Sequence, residues 1–195
     1  MMADKTDSAL LIVDVQNDFC TGGALAVPGS EAVVDALNRH VKEAADAGMP
    51  IYASRDWHPP QTTHFKDFGG QWPVHCVQSS PGAEFNPLLE LPADTIVVTK
   101  GERDDVPGYS AFEGTTPRGE PLLDDLKRRG VSHLYVGGLA TDYCVRASVL
   151  DALAAGFAVT VLEDAIAGVD VTPGDADRAR EEMRARGAQL RRARL

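Results

Sequence analysis

Residues 133–156, HLYVGGLATDYCVRASVLDALAAG, decide how the chain is read. A short apolar run, His133–Val136, leads into two glycines. A Thr-Asp pair follows, and then a helical pattern over Tyr143–Ala155 that Gly156 stops. Gly137 predicts an early end to the strand. Strand, turn and helix in succession are one half of a parallel β-α-β unit. One residue does not fit a purely structural reading. A packing cysteine would sit inside the apolar run, whereas Cys144 stands past the turn, where a chain leaves a strand and starts a helix.

The same alternation extends outward in both directions. Ala9–Val13, Pro50–Ala53, Thr95–Thr99 and Ala158–Leu162 read as further strands, with a short last one at Gln189–Leu190. They are continuously apolar, as in a parallel sheet covered on both faces. Ser30–Ala47, Glu120–Arg129 and Pro173–Arg186 read as further helices. Val33, Val34, Leu37 and Val41 recur at helical spacing in the first of these, with Ser30 as its expected cap and Gly48 as its stop. The expected architecture is a three-layer α/β/α sandwich with a mostly parallel central sheet, formed by residues 1–195 as a single domain.

Composition narrows the function classes. The 195 residues are 44% hydrophobic and 25% charged, an ordinary soluble balance. A net charge of −10 repels nucleic acid and anionic membrane surfaces. The local basic run Arg184, Arg186, Arg191, Arg192 and Arg194 reads as a solvated helix face and tail. No stretch is long and apolar enough for a membrane span or a signal segment. Cys20, Cys76 and Cys144 are odd in number and widely spaced, which points to free thiols in a reducing cytoplasm.

In open parallel sheets, sites form at the carboxyl ends of the strands. Asp14 ends the first strand, Asp56 and His58 follow the second, Lys100 ends the third, and Cys144 follows the fourth. A helix start and a nearby lysine both lower a thiol's pKa, so Cys144 is expected to be an activated nucleophile. Backbone amides around Ala140–Cys144 point where an oxyanion would form. Asp14 is placed to take and return a proton, and Lys100 to steady the charges. The long loop 56–93 holds three of the five histidines. Asp56, His58 and His75 make a set for one divalent metal, Zn first with Fe or Mn as alternatives, and His64 is a fourth ligand or a partner behind them. Phe19, Trp57, Phe65, Phe68, Trp72, Tyr109 and Phe112 crowd the same loops, although aromatics are only 6% of the chain. They either pack a lid or sandwich a flat ring. His40 and His133 read as structural or exposed. Residues 102–108, ERDDVPG, read as a mobile flap.

Five motifs in this order, LLIVDVQNDFCTGGALAV, RDWHPP, WPVHCV, KG…YSAFEG and GGLATDYCVRAS, resemble the nicotinamidase (pyrazinamidase) branch of the isochorismatase-like hydrolases. The resemblance runs from about residue 8 to about residue 187. It implies a cysteine amidohydrolase that converts nicotinamide, or analogues such as pyrazinamide, to the acid and ammonia through a thioacyl-enzyme. By position it implies Asp14, Lys100 and Cys144 as catalytic residues, and Asp56, His58 and His75 as metal ligands joined in some members by His64. Phe19 and Trp72 are then the ring-stacking residues, Tyr109 a pocket wall, and the Ala140 and Cys144 amides the oxyanion hole. A non-proline cis peptide is implied at Leu139–Ala140, and Tyr143 stands where the family often has His. The implied partner is a small pyridine carboxamide, with homo-oligomerisation left open.

Two other readings compete. A related amidase would keep the three catalytic residues and act on N-carbamoyl or ureido substrates; the metal set argues against it. A non-catalytic metal-binding or thiol redox-sensing protein would want a resolving cysteine, and no Cys-x-x-Cys is present.

Overall fold

The computed structural model describes residues 7–192 and 195. Six strands, β1 (Ser8–Val13), β2 (Ile51–Asp56), β3 (Ile96–Lys100), β4 (His133–Leu139), β5 (Ala158–Ala167) and β6 (Gln189–Arg191), form one sheet in the order β3-β2-β1-β4-β5-β6. Every pairing is parallel. Helices α1 (Ser30–Asp46), α2 (Leu122–Arg129), α3 (Arg146–Ala154) and α4 (Asp175–Ala185) cover it.

The pleat sorts β1 into two cores. Leu10 and Ile12 pack with Val33, Val34, Leu37 and Val41 of α1. Ala9, Leu11 and Val13 face the other way, toward Leu122 and Leu126 of α2, Val149 and Ala152 of α3 and Met183 of α4. This gives the expected three layers. Leu37 is wholly buried, a position where truncation to Ala typically costs about 2–5 kcal/mol. Strand order reverses between β1 and β4, so the crevice beyond their carboxyl ends lies at the sheet's switch point.

Four details differ from the sequence expectation. Ser30 does not cap α1: Gly29, with φ 84°, precedes the helix, and the Ser30 hydroxyl accepts from Thr21 N instead. β4 does not end at Gly137 but runs to Leu139, because Gly138 lets the strand lie against β1. At φ 124°, a side chain on Gly138 would put its Cβ 2.1 Å from Val13 O. The helix expected from Tyr143 begins as a π-helical turn, Thr141–Val145, before α3. β5 continues well past Leu162, with a register shift opposite Gly137. The Leu139–Ala140 peptide is cis, as the resemblance implies. Of the basic C-terminal residues, Arg184 and Arg186 pair with Glu163 and Glu182 on the surface, and Arg194 lies outside the described residues. No described helix is long and apolar enough to cross a membrane.

Candidate active site

Three parallel strands deliver three charged side chains to one place. Asp14 is the first residue past β1, Asp56 the last of β2 and Lys100 the last of β3. Lys100 is only 1% exposed, and its ammonium donates to Asp56 Oδ1 at 2.5 Å and to Gly108 O at 2.7 Å. Its Nζ lies 2.7 Å from Asp14 Oδ2 and 3.6 Å from Cys144 Sγ. Ser54, two residues before Asp56, donates to Asp14 Oδ1 at 2.6 Å. Asp14 Oδ2 faces Lys100 as an ion pair and keeps a lone pair for another proton. Asp14, Asp56 and Cys144 each bring one atom within 4.8 Å of the other two.

The π turn holds the thiol in that position. Ser148 donates to Cys144 O at 2.7 Å and accepts from Ala111 N. The Asp142 carboxylate accepts from Val169 N and Asp170 N, tying the turn to the chain beyond β5.

Burial corrects one expectation about this cluster. The Cys144 thiol is pushed well above its ordinary range by burial, against the pull of Lys100, with Asp14 and Asp56 adding to the rise. Burial thus works against the lowering expected from the helix start and the lysine. Asp14 is raised too, first by burial, with Lys100 opposing. Asp56 behaves oppositely: burial favours its acid form, yet the Lys100 ammonium beside it holds it well below the usual carboxylate range. Burial disfavours the Lys100 charge, but Asp14 and Asp56 overcome it and keep the ammonium. Burial thus raises both a carboxyl and a thiol that lie side by side next to a cation, an arrangement suited to proton transfer between them.

Beside this cluster the three histidines of the long loop meet. His58, His64 and His75 are buried, and one nitrogen of each lies within 4.8 Å of the others. His58 Nδ1 faces Gly101 O at 3.1 Å and His75 Nδ1 faces Pro73 O at 2.7 Å. A carbonyl only accepts, so each Nδ1 carries the hydrogen and each Nε2 keeps its lone pair. His58 Nε2 is buried without a hydrogen-bond partner, 3.5 Å from Asp56 Oδ2. Burial keeps His64 uncharged, at a pKa of about 3. Three imidazoles, one with an orphaned buried nitrogen, and a neighbouring carboxylate fit a divalent cation.

A pocket opens onto both groups. Phe19, Leu25, Asp56, His64, Trp72, His75, Tyr109, Ala140, Tyr143, Cys144 and Val169 line it. Trp72 Nε1 donates to Tyr109 OH at 2.9 Å and its ring meets Tyr143 edge-on, so the aromatic wall is braced from three separate segments. Other expected aromatics go elsewhere. Trp57 lies under the Arg55 guanidinium, Phe112 packs on Phe157, and Phe68 is exposed. Thr62 and Thr63 both donate to Asp104 O, which ties the 102–108 loop to the histidine loop. His40 pairs with Asp164 and His133 with Thr160, far from this site in role. Ser54, Asp142, Leu25 and Val169 escape a reading of the sequence, because their parts depend on contacts between distant segments.

The model of the isochorismatase domain matches residues 8–194. The chain belongs to the isochorismatase family. Within it, the chain is 44% identical to a nicotinamidase of Escherichia coli, over 93% of each chain. It is also 44% identical to a nicotinamidase/pyrazinamidase of Mycobacterium tuberculosis, over 93% of this chain and 97% of that one. The crystal structure of a pyrazinamidase of Pyrococcus horikoshii in complex with zinc superposes with a TM-score of 0.88 at 42% identity, covering 97% of this chain and 100% of that one.

Proposed function

We propose that this isochorismatase-family chain is a nicotinamidase, a cysteine amidohydrolase that releases ammonia from nicotinamide and related pyridine or pyrazine carboxamides. The observation that carries the reading is the contact of Cys144 Sγ with Lys100 Nζ at 3.6 Å, beside a raised Asp14, where the thiol reaches an aromatic pocket. The activities named for the relatives agree with it.

The pyridine ring lies between Phe19 and Trp72, with Tyr109 as a wall. Asp14 Oδ2 takes the Cys144 proton as the sulfur attacks the carboxamide carbon. The amides of Ala140 and Cys144 receive the developing oxyanion. The protonated Asp14 then gives its proton to the departing ammonia, leaving a thioester. Water, deprotonated by Asp14, attacks the thioester carbon; nicotinate leaves, and the proton returns to the sulfur. Lys100 stays charged throughout and prevents the two carboxylates from repelling each other. Asp56, His58 and His75 would hold one divalent cation, zinc as in the Pyrococcus relative, with His64 as a fourth donor. When bound, that cation supplies an electrophilic anchor for the lone pair of the ring nitrogen. The free thiols at Cys20, Cys76 and Cys144 suit a cytoplasmic enzyme working as one domain over residues 1–195.

The test is ammonia release from nicotinamide by the purified protein, beside Cys144→Ala and a chelator-treated sample. The expected result is loss of turnover in both. Loss only in Cys144→Ala would keep the thiol chemistry and remove the cation from it. No turnover by the metal-loaded wild type would overturn nicotinamide as substrate.

A further inference from the structure

β1 leaves the sheet one rung too early for Asp56. At φ 50°, Asp14 turns the chain away, although Asp14 N still donates to Ser54 O at 3.2 Å. In a continuing parallel ladder the next rungs would run from Asp56 N to Asp14 O and from the residue 16 amide to Asp56 O. Instead, Gln16 N donates to Asp14 O at 2.9 Å and closes the turn. The Gln16 side chain takes both vacant places. Its Oε1 accepts from Asp56 N at 2.8 Å, and its Nε2 donates to Asp56 O at 2.8 Å. The other amide hydrogen goes to Ala83 O, also at 2.8 Å. Gln16 is wholly buried, and both hydrogens of its carboxamide and its oxygen are used.

We propose that Gln16 is a positioning residue whose carboxamide replaces the missing strand peptide and thereby fixes Asp56 between Lys100 and the histidine cluster. Holding both the N–H and the C=O of Asp56 fixes its Cα and the direction of its carboxylate. That direction places Oδ1 on Lys100 Nζ and Oδ2 3.5 Å from His58 Nε2. A glutamine is required for this part. Glutamate of the same shape still accepts from Asp56 N but has no hydrogen for Asp56 O or Ala83 O. Methionine has the reach and neither polar function.

The inference rests on the proposed cation site, and its test reads the cation directly. Metal-free wild type, Gln16→Met, Gln16→Glu and Asn17→Ala are titrated with Co²⁺, following affinity and the visible spectrum, which reports ligand geometry. Asn17 is the control: its side chain donates to Pro81 O across the same two loops without touching Asp56. Gln16→Glu keeps the side-chain shape and serves where Gln16→Met does not fold, with folding checked by circular dichroism. The expected result is about 10–100-fold weaker Co²⁺ binding and an altered spectrum in the Gln16 variants, as for other groups that orient metal ligands, with Asn17→Ala unchanged. A folded Gln16 variant with wild-type affinity and spectrum would overturn the inference alone, provided His58→Ala and His75→Ala lose the ion. If those histidine variants also bind like wild type, the cation site itself falls, and the inference with it.

Discussion

Lys100 sets one positive charge among two buried carboxylates and a thiol, and its removal leaves those groups without a counter-charge. Lys100→Met is expected to lower stability by about 3–5 kcal/mol at neutral pH, the usual cost of breaking a buried ion pair from one side. The loss shrinks as pH falls, because protonating Asp14 and Asp56 relieves the uncompensated charge. Urea unfolding of both proteins at neutral and mildly acidic pH checks the magnitude and its direction. At Asp14 the expected effect is on chemistry. Asp14→Asn removes the proton acceptor and should lower kcat by about 10²–10⁴-fold, read as single-turnover ammonia release, with the fold retained. Position in the sequence alone gives Cys144 a lowered pKa, from a helix start and a lysine. The folded surroundings reverse the sign, since wrapping the thiol in protein outweighs one cation at 3.6 Å. The same enclosure raises Asp14 as well, so base and thiol shift in the same direction.

Among the elements, the π turn Thr141–Val145 joins Cys144 to the wall of the pocket. Asp142 makes that joint by accepting Val169 N at 3.0 Å and Asp170 N at 2.8 Å, and Val169 lines the pocket. Asp142→Asn keeps the shape but puts an NH₂ opposite one of the two backbone donors. The expected cost is about 1.5–3 kcal/mol in urea unfolding, the range for a hydrogen bond to a charged group. KM for nicotinamide should rise more than kcat falls, because Ser148 still holds the Cys144 carbonyl while the Val169 wall loosens. Equal losses in kcat and kcat/KM, with KM unchanged, would refute this division of labour. The strand-turn-helix order here is plain from residues 133–156. The π winding is not, because it depends on Ala140 O accepting from both Tyr143 N and Val145 N once β4 has set the turn.

Across the whole molecule, the layer of α2 is tied to the sheet through Tyr52 of β2. Its hydroxyl donates to Asp125 Oδ2 at 2.6 Å, and Arg128 and Arg129 pair with the same carboxylate. Burial raises the Tyr52 phenol to about 12, with the two arginines opposing. The folded state therefore holds this proton more tightly than the unfolded chain, whose tyrosine titrates near 10. Stability from Tyr52 is intact below pH 10 and is lost as pH rises toward 12. Thermal melts of wild type and Tyr52→Phe across that range should converge, because only the wild type must give up this proton on becoming charged. Parallel curves would place the alkaline loss elsewhere.

The sequence by itself determined the alternation of strands and helices, the three-layer class, and the gathering of Asp14, Asp56, His58, Lys100 and Cys144 at one sheet edge. It could do so because these follow from local apolar patterning and from the rule that strand ends collect functional side chains. The helix and strand limits moved where backbone meets backbone: Gly138 against Val13 extends β4, and Gly29 takes the cap position expected of Ser30. Tertiary structure alone decided which aromatics face the pocket, sending Trp57 to Arg55 and Phe112 to Phe157. It also decided the upward shift of the thiol and the hydrogen bonds of the Gln16 side chain. Apart from the local stacking of Trp57 on Arg55, these depend on burial or on contacts between segments about 40 or more residues apart, and no local pattern encodes such distances.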